Sequence, residues 1–366
     1  MRKTFPHPSE IIDQHHTDII RQYAREAELL GQLHPEQLKI INRLGWFKLL
    51  VPWTYGGLER GIPQLVRLQE AIAWADGSTG WVVTLCAGAG WFGGFMAPAL
   101  AHKIFNTPNV CLAGSGATTG QADIVDDGYL INGIWNYASG AHHATHFTVN
   151  CLIKRNGEAV LDDKGNPWVL PFILEKKEVT LIPAWKTMGM VATGSQSYTI
   201  ENVHVSEDQC FHIDPNYAEV NEDLYQYPFL QLAEATLAVN ICGMAMHFTD
   251  LCKDLFQEKK KNPKLKVENM LQLDDLLDTS VNLLNAGREL FYKSVDISWE
   301  KPIDNRDCEL KNVSKSSRAL AKIAREVVDT LYPYCGLRAA ATDSEINRVW
   351  RDLHTAGQHA IFTFDR

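Results

Sequence analysis

Several hydroxyl and histidine side chains of this sequence lie close together along the chain, in arrangements that could bind a polar ligand or transfer a proton. Thr193, Gly194 and Ser195 are consecutive, so that two hydroxyls and the backbone N–H groups of a tight turn could face the polar edge of a ring or a phosphate. His354 and His359 lie near the C-terminus, and histidine exchanges a proton near neutral pH. On one helix the two histidines would point about 140° apart, so they could not face one cavity equally. A structural or surface role is the ordinary interpretation of either histidine.

The composition is that of a folded protein with an acidic surface. Of 366 residues, 45% are hydrophobic and 22% are charged, and 44 acidic side chains outnumber 35 basic ones, for a formal net charge of −9. This balance argues against broad contacts with nucleic acid or with an anionic membrane. The most apolar segment, residues 81–100, is interrupted by glycines and a proline, so we expect a buried helix rather than a membrane span.

The cysteines indicate neither disulfides nor a metal site. The eight of them are scattered without a CxxC pair, and no Cys or His pairs stand at the spacing of zinc ligands. Because no targeting segment is visible at the N-terminus, we expect free, mostly buried thiols in a cytoplasmic protein that binds no metal.

Hydrophobic periodicity divides the chain into three segments. Residues 1–108 and 213–366 carry helical stripes, whereas residues 109–212 contain short runs rich in Val, Ile, Thr and aromatics, separated by turn signals. We therefore predict an α+β, mostly α fold with an N-terminal helical domain, a middle domain with an antiparallel, barrel-like sheet, and a C-terminal four-helix bundle. The long helices of the bundle are expected at about residues 223–258, 267–299, 311–334 and 344–361.

Short motifs in this order resemble those of the acyl-CoA dehydrogenase superfamily. Residues 50–57, Leu-Val-Pro-Trp-Thr-Tyr-Gly-Gly, look like the entry segment of that family, and residues 185–205 resemble the segment that closes its β-domain. The resemblance runs from about Gln37 to Phe362, and it implies the same succession of helical, β and helical domains.

Three further motifs resemble the flavin-dependent monooxygenase branch of this superfamily. Residues 133–140 look like its G-x-W-x-F-x-S-G strand, residues 78–81 are similar to its S-T-A-W helix, and residues 351–360 resemble its R-D-x-H-x-x-x-Q-H-A terminal helix. That branch includes the oxygenase components of 4-hydroxyphenylacetate hydroxylase, a steroid-ring hydroxylase and dibenzothiophene monooxygenase. The resemblance implies hydroxylation of a small, aromatic substrate by O2 and reduced flavin.

The resemblance also implies roles for individual residues. Ser139 matches a hydroxyl held close to N5 of the flavin, and His359 matches a histidine that lies over the flavin and acts as a base toward a phenolic substrate. The other implied contacts are with flavin for Trp135, Gly140, Thr193, Gly194 and Ser195, and with substrate for Ser115, Trp81 and His142. Each of these positions also has an ordinary structural interpretation as a turn, a loop or a core residue.

Two motifs that hold the pyrophosphate of FAD in the resembled dehydrogenases are altered in this sequence. Residues 254–259 stand where the family has R-x-x-F-G and contain neither arginine nor glycine, and residues 332–336 keep only the last glycine of Q-x-x-G-G. These losses favour transient binding of reduced FMN or FAD, delivered by a separate flavin reductase. The resemblance further implies a homotetramer.

Two other functions stay open. An acyl-CoA dehydrogenase or oxidase with bound FAD would need a carboxylate base, for which the candidates are Asp343, near the usual position, and Glu234, close to the position in some relatives. A non-catalytic protein on the same fold is the third interpretation, because the two phosphate motifs are altered.

Overall fold

The computed structural model of the protein describes residues 5–363. Residues 1–4 and 364–366, which the first and third predicted domains include, lie outside it. Five helices form the first part of the chain, and Asp76 ends one of them and begins the next by accepting hydrogen bonds from the backbone N–H and the hydroxyl of Thr79. These helices are α1 (Gln14–Leu30), α2 (Pro35–Arg43), α3 (Ile62–Ala75), α4 (Gly77–Gly90) and α5 (Pro98–Phe105). The helix α4 is almost wholly buried, as its apolar composition predicts.

Seven strands follow and form one sheet, in the order β4-β3-β1-β2-β7-β6, with β5 also paired to β3. The strands are β1 (Leu112–Val125), β2 (Gly128–Ala138), β3 (His146–Arg155), β4 (Glu158–Ala159), β5 (Val169–Glu175), β6 (Thr180–Ile182) and β7 (Gln196–Val205).

The sheet differs from the expected antiparallel barrel in two respects. β1 and β3 are parallel, because the turn after β2 carries the chain across to the other side of β1. Among the described residues, no pairing joins β6 to the opposite edge, so the sheet stays open. Period-2 patterns identify strands but not their neighbours, which is why the sequence could not reveal this topology.

The described last part of the chain contains three long helices and three shorter ones, rather than four long helices. Its helices are α6 (Asp223–Gln226), α7 (Phe229–Lys260), α8 (Val267–Glu300), α9 (Asp307–Cys335), α10 (Leu337–Ala340) and α11 (Glu345–Ala356). The helix α11 ends where Gly357 interrupts it, and the chain continues into a 3-10 turn at Ala360–Phe362. His359 therefore lies beyond the helix, and its predicted placement on one helix with His354 is wrong.

The helix α7 is the central element of this part. Among the described helices it alone is long and apolar enough to cross a membrane, yet 78% of its apolar window is buried inside the protein. It packs against α3, α9 and α11. A long apolar helix buried among other helices is a core helix, and α7 has this environment.

A buried ion pair joins the N-terminal helices to the C-terminal ones. Arg288 on α8 donates to both carboxylate oxygens of Glu70 on α3, at 2.8 and 2.7 Å, and both side chains are buried. The guanidinium also donates to the carbonyl oxygen of Pro6. Because every charged atom of this pair has a partner, the two charges can stay inside the protein.

Removal of one partner should destabilise the fold strongly. We expect Arg288→Ala to lower the free energy of unfolding by roughly 3–5 kcal/mol, because Glu70 would be left charged and buried without a cation. Urea denaturation would measure this. The matched control is Lys293→Ala on the same helix, whose ion pair with Glu289 is exposed and should change stability by less than about 1 kcal/mol. Equal losses in the two variants would contradict the assignment.

Candidate functional site

Three hydroxyl groups come together where the end of β2 meets the loop before β7. Ser139 Oγ lies 2.8 Å from Ser195 Oγ, which lies 2.7 Å from Thr193 Oγ1. The backbone N–H of Gly140 donates to the carbonyl oxygen of Thr193 at 2.8 Å. All three side chains are buried. Two segments that the sequence singled out separately thus form one hydroxyl cluster, consisting of Ser139, Thr193 and Ser195.

Left-handed backbone at two residues gives the loop its shape. Met190 has φ +55° and Gly194 has φ +51°, and they flank a 3-10 turn at Val191–Thr193. A Cβ atom on Gly194 would lie 2.7 Å from a ring carbon of His142 and 3.0 Å from the carbonyl oxygen of Gly31. Glycine is therefore needed here both for its backbone conformation and for space.

The loop is anchored to α11 by one buried carboxyl group. The backbone N–H of Met190 donates to Asp352 Oδ1, and the hydroxyl of Thr193 donates to the carbonyl oxygen of Met190 at 2.7 Å. Burial raises the pKa of Asp352 to about 7, and the neighbouring carboxylate of Asp76 adds to the rise, while the Met190 hydrogen bond and Arg348 oppose it. The sequence analysis did not single out Asp352, because nothing in the sequence indicates that this carboxyl is buried.

An exposed aromatic surface lies beside the hydroxyl cluster. Tyr137, two residues before Ser139, has 72% of its surface exposed and φ +67°, an uncommon conformation for a bulky residue. It meets the ring of Trp185 edge-on at 6.0 Å, and Met188, in the loop that follows Trp185, is 52% exposed. An exposed aromatic next to buried hydroxyls fits a flat, heteroaromatic cofactor, whose face the ring would cover and whose polar edge the hydroxyls would bind.

A flavin contact was predicted for Trp135, but the exposed ring beside the hydroxyl cluster is that of Tyr137. The pairing of β2 with β7 is irregular between Trp135 and Ala138, which breaks the strict alternation of the strand. The Trp135 ring is fully buried, stacks on Tyr198 at 5.5 Å and donates its indole N–H to the carbonyl oxygen of Asn150. The structure thus places Trp135 in the core of the sheet, apart from the hydroxyl cluster.

One face of α4 continues the site as an apolar wall. Trp81 lies one turn before Leu85 and two turns before Gly88, which are the only half-buried positions of this buried helix. The ring of His359 lies 6.0 Å from the ring of Trp81. The Sγ of Cys86, on the same helix, contacts the carbonyl oxygen of Ser139 at 3.7 Å. The helix α4 therefore connects the predicted base with the hydroxyl cluster.

The other two predicted substrate residues have different surroundings. His142 packs over Gly194, and its Nε2 is 3.3 Å from Nε2 of Gln196, so it belongs to the surroundings of the hydroxyl cluster. Burial lowers its pKa, and the positive charge of Lys176 lowers it further. Ser115 is half-buried on β1, where its hydroxyl accepts a hydrogen bond from the backbone N–H of Ala117. It stands where the pairing of β1 with β3 shifts, on strands that do not carry the hydroxyl cluster.

The two candidate bases of a dehydrogenase, and His354, each have different surroundings. Arg318 donates twice to one carboxylate oxygen of Glu234, at 3.1 and 2.8 Å, and Glu234 is 1% exposed. Asp343 is exposed just before α11. His354 is held between the carbonyl oxygen of Trp350 and the carboxylate of Asp329, at 2.8 Å from each, and has a structural role. The carboxylate of Glu234 is thus held in an ion pair with Arg318.

Within residues 5–363, no group of three His, Cys, Asp or Glu side chains is arranged as a set of metal ligands. The cysteines in this range are unbridged, and six of them are buried.

Comparisons with known proteins identify relatives of this chain. Residues 235–364 match the family described as acyl-CoA dehydrogenase, C-terminal domain. Indole-3-acetate monooxygenase of Pseudomonas putida is 27% identical over 94% of this chain and 88% of its own length. The oxygenase subunit HsaA of Mycobacterium tuberculosis, a flavin-dependent monooxygenase, is 26% identical over 93% and 88%. The oxygenase component of p-hydroxyphenylacetate 3-hydroxylase of Acinetobacter baumannii is 22% identical over 94% and 83%.

Solved structures show the same fold. The crystal structure of HsaA from M. tuberculosis superimposes with a TM-score of 0.81 at 23% identity, over 97% of this chain and 92% of that one. XiaF from Streptomyces sp., solved with FADH2 and glycerol, gives a TM-score of 0.74 at 19% identity, over 97% and 92%.

The mostly helical α+β fold around one seven-stranded sheet is the fold of these solved structures, and the C-terminal part of the chain matches the acyl-CoA dehydrogenase C-terminal domain. The three relatives named above, which align over nearly the whole chain, are oxygenases. The chain is thus similar over nearly its whole length to flavin-dependent monooxygenases.

The fit of Gly194 between His142 and Gly31 can be tested by substitution. We expect Gly194→Ala to lower the free energy of unfolding by about 1–3 kcal/mol more than Gly157→Ala does. Gly157 also has a positive φ, of +82°, but has nothing near its Cβ position, so it is the control for backbone strain alone. Denaturation by urea would measure both. Equal losses would mean that the loop shifts to accommodate the methyl group.

Proposed function

We propose that the protein is the oxygenase component of a two-component system, which hydroxylates a small aromatic substrate with O2 and reduced flavin from a separate reductase. The observation that supports this most directly is the hydroxyl cluster beside exposed Tyr137, with His359 and Trp81 on the adjoining wall of α4. When bound, reduced FMN or FAD supplies the electrons that activate O2.

The residues of the site divide the work. Ser139, supported by Ser195 and Thr193, hydrogen-bonds the polar edge of the ring system, while Tyr137 covers its face. His359 accepts the proton of the substrate hydroxyl, for which a histidine suits neutral pH. Its Nδ1 accepts a hydrogen bond from the backbone N–H of Ile361, which helps to orient the ring. The apolar face of α4 excludes water, which limits the loss of activated oxygen as peroxide.

Transient binding is consistent with the end of α7. The segment that would carry the arginine and glycine of the FAD-binding motif is ordinary helix, and Lys259 donates to the carbonyl oxygen of Tyr334 on α9. The helix end is thus occupied by contacts within the chain. We propose that the protein acts in the cytoplasm as a soluble enzyme with a diffusing flavin. We also propose that its three domains meet near residues 108 and 212.

The function is tested by mixing the purified protein anaerobically with reduced FMN or reduced FAD and then with O2. As substrates we would use p-hydroxyphenylacetate and indole-3-acetate, the compounds named for two relatives. We expect delayed reappearance of oxidised flavin and a hydroxylated product. Purified protein that is yellow, and that an acyl-CoA bleaches without O2, would instead support the dehydrogenase.

Two substitutions separate the roles of the site residues. His359→Ala should lower product formation roughly 10²- to 10⁴-fold, the usual contribution of a general base, without weakening the binding of reduced flavin. Ser139→Ala should raise the share of O2 released as hydrogen peroxide, whereas Ser206→Ala, in an exposed turn, should not. If neither substitution alters product or peroxide, the residue assignments are wrong.

We also propose that copies of the chain associate through α8, in keeping with the expected homotetramer. Leu283, Leu290 and Ile297 recur every seven residues on this helix and are 45%, 66% and 44% exposed, a long apolar stripe on its outer face. A second copy offers an identical stripe, so the contact can close symmetrically.

Leu290→Glu should therefore dissociate the oligomer, because a buried interface would acquire unpaired charges. Analytical ultracentrifugation would show a fall in mass, whereas Leu161→Glu, in a hairpin of the sheet, should leave the mass unchanged. A monomeric unaltered protein would contradict the proposal.

A further inference from the structure

A chain of hydrogen bonds runs from the hydroxyl of Ser139 to the carboxyl group of Asp352. Ser139 Oγ is 2.8 Å from Ser195 Oγ, and Ser195 Oγ is 2.7 Å from Thr193 Oγ1. The Thr193 hydroxyl donates to the carbonyl oxygen of Met190, and the N–H of Met190 donates to Asp352 Oδ1. Each link is buried, so water does not compete for it.

We propose that Asp352 is a positioning residue of the flavin site. By holding Met190 it keeps the hydroxyls of Ser139 and Ser195 directed at the flavin and so limits the release of peroxide. The inference rests on the proposed function and deepens it, since it names a group outside the hydroxyl cluster that determines how O2 is used.

The loop needs an external hold. Met190 has φ +55°, a conformation that costs a side-chain-bearing residue about 1–3 kcal/mol and persists only where surrounding contacts impose it. The helix α11 supplies those contacts at Met190 and at the two residues before it. A Cβ on Gly189 would lie 2.1 Å from the carbonyl oxygen of Arg351, so the loop lies directly on the helix backbone. The Arg351 side chain donates to the carbonyl oxygen of Met188.

The charges around Asp352 are engaged with other groups. On α1, Glu28 pairs with Arg351, and Asp76 caps α4. Arg348 lies 4.0 Å from Asp76 and 3.8 Å from Glu345. On α7 the titratable group near this region is His247, which faces Glu345 at 3.3 Å.

Asp352 itself forms no ion pair with a cation in the described part of the chain, and the N–H of Met190 is its closest partner. It is 3% exposed, and its surroundings raise its pKa to about 7, chiefly through burial. The Met190 hydrogen bond opposes that rise, which means that the ionised carboxylate accepts this bond more strongly than the protonated acid does. The hold on the loop should therefore tighten as pH rises through about 7.

The opposite sign applies to folding. Since the pKa of Asp352 is raised above its value in the unfolded chain, its contribution to stability is full below about pH 4 and is lost as pH rises through about 7. Asp352→Asn keeps the shape and an acceptor oxygen but carries no charge. The melting temperature of the Asp352→Asn variant should therefore rise relative to that of the unaltered protein from about pH 5 to about pH 8.

The structural part of the proposal is tested on the protein alone, without flavin. We would follow hydrogen exchange of the backbone amides in residues 188–195 for the Asp352→Ala, Asp352→Asn and Asp329→Asn variants. Asp329, on α9, pairs with His354, which lies on α11 as Asp352 does. Asp329 takes no part in the chain of hydrogen bonds, so its variant is the control. Asp352→Ala should speed exchange by roughly three- to tenfold, the equivalent of one lost hydrogen bond, and Asp329→Asn should not.

The functional part uses reduced FMN and reduced FAD as probes, mixed with O2 at about pH 6 to 8, on either side of the raised pKa of Asp352. Peroxide release should fall with rising pH in the unaltered protein, and Asp352→Asn should abolish this dependence. Asp352→Ala should raise peroxide release to the level of Thr193→Val, which breaks the same chain in the loop. The double variant should be no worse than either single one, because both remove one pathway.

Unchanged exchange in Asp352→Ala would overturn the inference at the structural step. Faster exchange with normal peroxide release, or additive effects in the double variant, would overturn its functional step. If the unaltered protein does not delay the oxidation of either flavin, the proposed function itself fails, a result that the exchange data on the protein alone keep distinct.

Discussion

The left-handed turn of the loop from Met190 to Gly194 is the constraint on which the site depends. Met190 carries a side chain in a backbone conformation that costs about 1–3 kcal/mol, so contacts around it must maintain this shape. The compensation comes from α11 on one side and from β2 on the other, where the N–H of Gly140 donates to the loop. The hydroxyls of Thr193 and Ser195 meet that of Ser139 only when both contacts are made.

Among the described residues, buried charges between the packed helices have charged partners, whereas the buried carboxyl group at the site does not. Glu70 with Arg288, and Glu234 with Arg318, are paired inside the protein, and they join α3 to α8 and α7 to α9. Asp352 has a backbone N–H as its closest partner, and burial raises its pKa to about 7 although that hydrogen bond opposes the rise. With its pKa raised to about 7, Asp352 changes its charge near neutrality.

The helix α4 connects the packed helices α3 and α7 with the candidate site. Most of it is buried, and it packs on α3 and α7, yet Leu85 and Gly88 stay half-buried on the face that Trp81 shares. The same helix contacts the carbonyl oxygen of Ser139 through Cys86. The apolar wall is therefore held next to the hydroxyl cluster. A substrate on this wall would lie between a polar edge and His359, which suits proton removal from a hydroxyl.

The sequence by itself determined the succession of helices, strands and helices, the burial of α4 and the resemblance to the acyl-CoA dehydrogenase superfamily. Periodicity and short motifs carry that information, since both depend on residues close together in the chain. The tertiary structure decided which side chains meet. An irregular strand pairing after Trp135 turned Tyr137 outward, and a helix that ends at Ala356 set His359 apart from His354. Strand pairing placed β3 parallel to β1. Asp352 became part of the site only through contact with Met190, far away in sequence, and burial by distant elements cannot be read from local pattern.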